Sequence, residues 1–140
     1  MLDADVPIPV DITQQSIAEL IDNCLHAEGR TGCWQFSIAF VDEPAIVDLH
    51  QRFLQLDTPT DILTFPFDSD PSGSGGDIAI CVPVAAANAT ENGKSLSWEL
   101  AFLVLHGVLH VLGWDDSTDA ERTAMLDRQI EILASSGFSA

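Results

Sequence analysis

The feature that most constrains this chain is a long apolar segment at 100–114, whose only polar side chains are His106 and His110. A helix that is apolar on all its faces has to be buried against other elements on every side. A buried imidazole without a partner costs about 1–3 kcal/mol, so each of the two histidines needs a binding partner. The segment therefore predicts a central helix around which the rest of the chain packs.

His106 and His110 belong to the pattern H-x-x-x-H-x-x-G-x-x-D, which ends at Asp116. Four residues make about one helical turn, so both imidazoles project from one face and can bind the same ion. Gly113 can adopt the left-handed conformation that ends the helix, and the returning chain would bring Asp116 beside the histidines. Three protein ligands leave a tetrahedral ion one open position, as catalytic sites do. We predict one ion per chain, with Zn²⁺ as the expected metal.

Other interpretations of this motif stay open. Paired histidines at this spacing also occur as ordinary half-buried side chains. Asp115 could replace Asp116 as the ligand, or accept a hydrogen bond that orients a histidine ring. Because it lies next to the ligand in sequence, Asp115 is also the candidate catalytic residue, as general base.

Gly107 separates the motif from the metalloprotease pattern H-E-x-x-H, in which a glutamate at this position is the general base. We therefore do not expect a protease. A glycine inside a helix costs about 1 kcal/mol relative to alanine, so its presence needs a reason. Either a substrate or another backbone approaches closely at Gly107, or the helix packs tightly there.

Three segments of the chain resemble the YbeY endoribonucleases, which are also described as ribosomal RNA maturation factors. HGVLHVLGWDD at 106–116 is similar to the family's H-G-x-L-H-L-x-G-Y-D-H. TDILTFPFD at 60–68 is similar to its T-D-V-L-S-F-P, and GDIAICV at 76–82 to its G-D-I-x-I strand. Glu99 falls where family members carry an acidic residue ahead of the metal helix. The motifs occur in the family's order and spacing, over roughly residues 35–133.

The resemblance implies a zinc-dependent hydrolase, a single-strand-specific endoribonuclease that acts in ribosomal RNA processing and ribosome maturation. It implies RNA or ribosomal particles as partners. It also implies that Asp61 and Thr64 line the substrate-binding cleft, next to a metal held by His106, His110 and Asp116.

Two positions depart from the family pattern. The family's third histidine is Asp116 here, and the arginine usually found six residues before T-D is Leu54. Aspartate can bind zinc, although its charge makes the ion less electrophilic. Leucine cannot replace an arginine as a phosphate clamp. These departures favour an alternative hypothesis, a ribosome-associated binding protein whose metal site is structural or vestigial.

The net charge of the chain is −17, from 22 acidic residues against five lysines and arginines. Proteins that follow a phosphate backbone usually present a basic patch, because binding is driven largely by counterion release. This sequence has no such patch. We therefore expect weak direct electrostatic attraction to RNA, and a protein partner could supply positive charge. An acidic, lysine-poor surface also fits a salt-rich cytoplasm. The sequence does not indicate an oligomeric state.

The length of 140 residues and the hydrophobic content of 46% suit one domain, 1–140, with a single core. The acidic N-terminal segment does not resemble a signal peptide, and 100–114 is too short to span a bilayer. We therefore expect a cytoplasmic protein with no membrane contact. Cys24, Cys33 and Cys81 lack C-x-x-C spacing, which suggests reduced thiols, and we expect Cys24 and Cys81 in the core.

Hydrophobic periodicity predicts the element order βαβαββααα. The expected strands are 6–12, 33–41, 61–65 and 77–82, and the expected helices are 14–28, 44–54, 84–92, a metal helix capped by Ser95 or Ser97, and 118–134. We place Met125, Leu126, Ile132 and Leu133 in the core and His50 at the surface. The order indicates an α+β fold, in which about four strands form a mixed sheet covered by helices around the central metal helix.

Overall fold

The computed structural model describes residues 2–4, 6–56, 60–67 and 74–138. Within these residues the strands are β1 (Leu2–Ala4), β2 (Trp34–Val41), β3 (Ile62–Pro66) and β4 (Ser74–Cys81). The helices are α1 (Gln14–Ala27), α2 (Glu43–Leu54), α3 (Val82–Glu91), α4 (Leu96–Val111) and α5 (Asp119–Ser135). The predicted order of elements is confirmed, and so is the α+β class.

The described strands form one mixed sheet with the order β1-β2-β4-β3. Strands β1, β2 and β4 run parallel, and β3 pairs antiparallel with β4. Ile38 of β2 pairs with Ile78 of β4, which pairs in turn with Thr64 of β3. Helix α1 provides the crossover that the parallel pair β1-β2 requires. The prediction of a mixed sheet of about four strands is confirmed.

The alternating residues of β2 divide the sheet into two faces. Phe36, Ile38 and Phe40 belong to a core shared with α1, α4 and α5. Val41 belongs to a smaller cluster on the opposite face, where Ile46 of α2 covers the sheet. Side chains of a β-strand point alternately to the two faces of the sheet. The alternation of side chains in the sequence of β2 therefore determines which of its residues face each layer of helices.

Helix α4 lies in the main core and is buried along most of its length, as predicted for the metal helix. It begins after Ser95, whose side chain accepts a hydrogen bond from the Trp98 backbone N–H at 3.1 Å. Gly107 faces β4, and a Cβ at this position would lie 2.8 Å from Ile78 Cδ1. Tight packing on the sheet therefore accounts for Gly107, and α4 lies close to β4 at the level of the histidines.

Helix α5 begins at the capping box predicted from the sequence. Thr118 Oγ1 accepts a hydrogen bond from the Glu121 N–H, and Glu121 Oε1 accepts one from the Thr118 N–H, both at 3.1 Å. Met125, Ile132 and Leu133 are buried as expected, whereas Leu126 is 43% exposed. The prediction for Leu126 is wrong because Leu126 lies about 100° around α5 from Met125. That places it at the edge of the buried face, which is centred on Met125, Gln129 and Ile132.

The first strand also differs from the prediction. It spans Leu2–Ala4, which pairs with β2, and residues 6–12 form no strand. Pro7 and Pro9 lack the backbone N–H groups that a strand donates to its neighbour. The Ile12 N–H bonds instead to the Pro9 carbonyl at 3.0 Å, which closes a turn before α1.

His50 is a further correction, since it is 8% exposed and not a surface residue. It lies one turn after Ile46 on α2, so it points to the same buried side of that helix. Cys24 and Cys81 are buried as expected, and burial raises the pKa of the Cys24 thiol to about 12. Among the helices described, none has the length and apolar character needed to cross a bilayer.

Candidate metal centre

The end of α4 and the turn that follows it bring the residues of the sequence motif together. His106 and His110 project from one face of α4, with their ring centroids 4.4 Å apart. Gly113 then adopts φ +106°, the left-handed region predicted for it. The Gly113 N–H bonds to the His110 carbonyl and the Trp114 N–H to the Leu109 carbonyl, both at 3.0 Å, as in a Schellman motif. The chain thereby returns toward the histidines.

The ligand atoms of three residues converge at this turn. His106 Nε2 lies 3.0 Å from His110 Nε2, and Asp116 Oδ2 lies 3.4 Å from His110 Nε2 and 3.8 Å from His106 Nε2. A tetrahedral zinc ion, with bonds of about 2.0–2.2 Å, separates its ligand atoms by about 3.3–3.6 Å. The observed separations span this range, so these residues could hold such an ion. Asp116, and not Asp115, completes the group.

The outer nitrogen of the His110 imidazole is engaged by the backbone, which leaves its Nε2 atom for an ion. His110 Nδ1 lies 3.0 Å from the Trp114 carbonyl oxygen, which can only accept, so this nitrogen donates. The Gln129 amide donates to the Phe102 carbonyl at 3.1 Å. Its side chain also lies near enough to the His106 ring to raise the pKa of that ring against the larger effect of burial.

The two Nε2 atoms lie 3.0 Å apart, with the Asp116 carboxylate beside them, and the bond of His110 Nδ1 to the Trp114 carbonyl leaves His110 Nε2 with a free lone pair. A cation among these three atoms would be attracted by the imidazole nitrogens and by the carboxylate. Outer hydrogen bonds that fix the tautomer of a histidine are also the usual second layer of a metal site. The chemistry of the donor set therefore fits a bound metal ion.

The site is half-buried and accessible from one side. The side chains of His106 and His110 are 26% and 27% exposed, and that of Asp116 is 41% exposed. Burial, followed by the charge of His110, holds the pKa of His106 below its usual range, so its ring is neutral at neutral pH. A neutral imidazole is the form that binds a metal. The exposed side leaves room for a fourth, exchangeable ligand.

The candidate base Asp115 lies in the same turn and is not part of the ligand group. Its Oδ1 accepts hydrogen bonds from the Ser117 hydroxyl and from the Asp116 N–H, both at 2.8 Å. These two bonds hold the pKa of Asp115 below its usual range. Asp115 is exposed. Its observed contacts order the turn from which Asp116 reaches the histidines.

The two residues expected to line a cleft lie on the neighbouring strand. Asp61 directly precedes β3, and its Oδ2 accepts a hydrogen bond from the Asn88 amide of α3 at 3.5 Å. Its negative charge raises the pKa of His106 against the larger effect of burial, so the carboxylate lies within electrostatic range of the ligands. Thr64 is half-buried and pairs with Ile78, the residue that faces Gly107. Both positions therefore lie beside the metal helix.

Leu54, the position of the missing arginine, is 54% exposed at the end of α2. Helix α2 packs on the face of the sheet opposite to α4, as the separate clusters around Ile46 and Val108 indicate. An arginine at position 54 would therefore have to reach around the edge of the sheet to contact the ion.

One buried polar residue beside the site, Gln129, is missing from the sequence-based prediction. Gln129 is 2% exposed and raises the pKa of His106, and Glu99, a carboxylate of α4, is 5% exposed. Gln129 lies at the helical spacing of Met125, Ile132 and Leu133, and a polar side chain in such a buried row is the signal that could have identified it. Glu99 stood out through the resemblance alone.

The fold and the site together define a class of protein: small α+β proteins with a half-buried His-His-Asp group that can bind one metal ion and leave a position open. The family model described as Endoribonuclease YbeY matches residues 3–137 of this chain. The chain belongs to the endoribonuclease YbeY family.

Individual relatives agree with this assignment. Endoribonuclease YbeY of Moorella thermoacetica is 39% identical over 146 aligned positions, which cover 96% of this chain and 93% of that relative. Endoribonuclease YbeY of Beutenbergia cavernae is 38% identical over 137 positions, which cover 91% and 89% of the two chains. The solution structure of TM1509 from Thermotoga maritima is similar, with a TM-score of 0.68 and 27% identity over 97% of this chain and 89% of that one.

Proposed function

We propose that this protein is a zinc-dependent endoribonuclease that cleaves ribosomal RNA precursors during ribosome maturation. The observation that carries the proposal is the convergence of the His106 and His110 Nε2 atoms, 3.0 Å apart, with the Asp116 carboxylate, in a group that is open to solvent on one side. Membership of the endoribonuclease YbeY family supplies the reaction and the substrate class. Zinc is the proposed ion because it favours two imidazoles and one carboxylate in tetrahedral geometry.

The residues of the candidate site have separate proposed roles in holding and orienting the ion. His106, His110 and Asp116 would hold the ion, the Trp114 carbonyl keeps the His110 ring turned toward it, and Gln129 lies beside His106. Zinc held by these three residues would polarise a phosphoryl oxygen and would lower the pKa of a bound water. The neutral imidazoles add no charge, whereas the Asp116 carboxylate reduces the charge felt by the substrate.

The remaining roles concern the proton and the RNA. We propose Asp115 as the general base, because it is ionised at neutral pH and lies next to the ligand Asp116. We also propose that Asp61 and Thr64 contact the substrate, since both lie beside the metal helix. Thr64 can donate a hydrogen bond to a phosphate or ribose oxygen, and Asp61 can accept one from a ribose or base.

The acidic character of the chain limits which RNA substrates it can bind. With a net charge of −17, the protein repels RNA over most of its surface, so the ion has to provide much of the attraction for the scissile phosphate. A single strand brings fewer phosphates to the surface than a duplex, and we propose that single-stranded segments are cleaved for this reason. Ribosomal particles, or a basic protein bound to them, would supply the missing positive charge. We place this reaction in the cytoplasm, where precursors of ribosomes are processed.

A second candidate function is a ribosome-associated binding protein with a structural or vestigial metal site. Leu54 favours it, because this exposed position on α2 carries no cation that could clamp a phosphate. Asp116 favours it too, because its charge weakens the ion as a Lewis acid. Against it stands the solvent-exposed side of the donor set, since structural zinc sites are closed by four protein ligands.

Single-turnover cleavage of a structured ribosomal RNA fragment tests the two candidates. We expect the wild type to cleave slowly, a chelator to stop the reaction, and zinc to restore it. His110→Ala should be inactive, and Asp115→Asn should keep its metal while losing most of the activity. The asparagine can still accept the hydrogen bonds of the Asp115 side chain, so the turn should persist. Equal background cleavage by all variants, with ribosomal particles still bound by the wild type, would support the binding protein instead.

A further inference from the structure

A polar cluster lies behind the metal site, and it joins parts of the chain that are far apart in sequence. Glu28, at the end of α1, has a side chain that is 11% exposed. Its Oε1 accepts a hydrogen bond from the Trp114 indole N–H, and its Oε2 accepts one from Arg128 Nε of α5 at 2.8 Å. Both carboxylate oxygens are therefore engaged, one by the metal turn and one by a neighbouring helix.

Two further hydrogen bonds hold the same parts together. Arg128 also donates through Nη2 to the Ala27 carbonyl at the end of α1, at 2.7 Å. Arg30 donates through Nη2 to the Leu112 carbonyl at 2.7 Å, where α4 ends. A carbonyl at a helix C-terminus lacks an intrahelical partner, and a guanidinium stabilises it through charge as well as hydrogen bonding. The end of α1 is thus fixed to both α5 and the end of α4.

Trp114 connects this cluster to a metal ligand. Its indole N–H donates to Glu28, while its backbone carbonyl accepts from His110 Nδ1 at 3.0 Å. That second bond determines the tautomer and the orientation of the His110 ring, and so directs Nε2 toward the ion. Asp116 follows Trp114 by two residues on the same turn. A shift of Trp114 would therefore displace two of the three ligands together.

We propose that Glu28 is a positioning residue of the metal site, which acts through Trp114 on His110. The proposal rests on the metal site of the proposed function, but not on RNA cleavage. The Glu28 carboxylate is held by Arg128 on one side and holds the indole on the other, so the carbonyl of Trp114 stays in place when the ion enters or leaves. The ligands are therefore arranged before the ion binds, and less ordering has to accompany binding.

Zinc affinity of purified full-length variants tests this role, measured by competition with a chelating dye at a temperature where every variant is folded. Trp114→Phe removes the indole donor and keeps the aromatic ring and the backbone carbonyl. Glu28→Ala removes the acceptor, and Glu28→Gln restores one neutral acceptor. We expect Trp114→Phe and Glu28→Ala to bind zinc about tenfold more weakly and Glu28→Gln to recover most of the loss. The matched control is Asp48→Asn, in an exposed ion pair with Arg52 on α2, which should bind zinc as the wild type does.

The tautomer of His110 gives a readout that a purely structural role would not change. Long-range ¹H–¹⁵N correlation spectra of the metal-free protein should show the proton on Nδ1 in the wild type and a mixture of tautomers in Trp114→Phe. Unchanged zinc affinity and an unchanged tautomer in Trp114→Phe would overturn the proposal, whether or not Glu28→Ala folds. If the wild type and His110→Ala bind zinc equally well, the metal site itself is wrong, and that outcome is distinct from failure of the Glu28 proposal.

Discussion

At the residue scale, Asp116 is the proposed ligand that distinguishes this candidate metal centre from the histidine pattern of its family. Its Oδ2 lies 3.4 Å from His110 Nε2, within the spacing that a shared ion requires. The carboxylate brings a full negative charge to two neutral imidazoles. We therefore expect tight binding of a divalent ion, and a bound water that is less acidic than in an all-imidazole site.

Substitutions at Asp116 test its assignment as the third ligand. Asp116→Ala should weaken zinc binding by about tenfold or more, because it removes one of three protein ligands. Asp116→His should retain binding and give a more acidic bound water, measured as a lower pH midpoint of activity. Chelator competition provides the affinities. If Asp116→Ala binds zinc normally and Asp115→Ala does not, the ligand has been misassigned.

Glu99 is a second residue whose environment has a measurable consequence. It is 5% exposed on α4, and burial, followed by the negative charge of Asp61, raises its pKa. In the unfolded chain the carboxyl loses its proton near its ordinary value of 4.5, whereas the folded protein retains that proton to higher pH. Between the pKa of Glu99 in the unfolded chain and its higher pKa in the folded protein, the unfolded state binds fewer protons than the folded state. The contribution of Glu99 to the free energy of unfolding therefore falls as pH rises through this range.

Glu99→Gln should therefore stabilise the protein at neutral pH. The amide preserves the shape of the side chain and has no charge to bury, so the thermal midpoint at pH 7 should rise. At pH 4 the wild-type carboxyl is protonated in both states, and the difference between the two proteins should disappear. Thermal unfolding of metal-free protein at both pH values is the measurement. A glutamine variant that is less stable at pH 7 would contradict the assigned cause.

At the scale of elements, the contact between α4 and β4 determines where the ligands lie relative to the sheet. Ile78 is 1% exposed and faces Gly107, one residue after the candidate ligand His106. A side chain at position 107 would push the helix away from the strand, since a close-packed core has no spare volume. The absence of a side chain at Gly107 therefore allows α4 to pack closely against β4.

Gly107→Ala should lower stability by about 1–3 kcal/mol from overpacking, a larger effect than the gain of about 1 kcal/mol in helix propensity. Adding Ile78→Val removes Cδ1, the atom that lies 2.8 Å from the new Cβ, and should recover part of the loss. Urea unfolding of the two single variants and the double variant measures their coupling. Strictly additive effects would show that the contact is not the cause.

The sequence predicted that the candidate ligands lie together because their relation is local. His106, His110 and Asp116 lie on one helix and its turn, so spacing alone brings them together. The cap of α5 and the faces of β2 were predictable for the same reason. The residues that surround the candidate ligands were not predictable, because Gln129 and Glu28 reach the site only through packing of α5 and α1 on α4. The first strand was also missed, because its three residues are defined by pairing with β2 and not by their own pattern.

At the scale of the whole molecule, the net charge of −17 determines how RNA approaches. A basic protein with six to ten phosphate contacts loses about 10³–10⁵ in affinity between about 50 and 200 mM salt. Here salt screens repulsion, so zinc-loaded protein should bind single-stranded RNA equally well or better over that range. Fluorescence anisotropy with a labelled oligonucleotide is the measurement. A steep loss of affinity with salt would reveal a cationic surface that neither the sequence nor the fold indicates.

The metal content of the purified protein tests the central claim most directly. Wild-type protein, His106→Ala and His110→Ala would be exposed to the same zinc concentration, desalted, and analysed for zinc per chain by mass spectrometry. We expect close to one zinc in the wild type and little in either variant, with a rise in thermal midpoint on zinc addition for the wild type alone. Equal zinc content in the three proteins would contradict the metal centre at His106, His110 and Asp116.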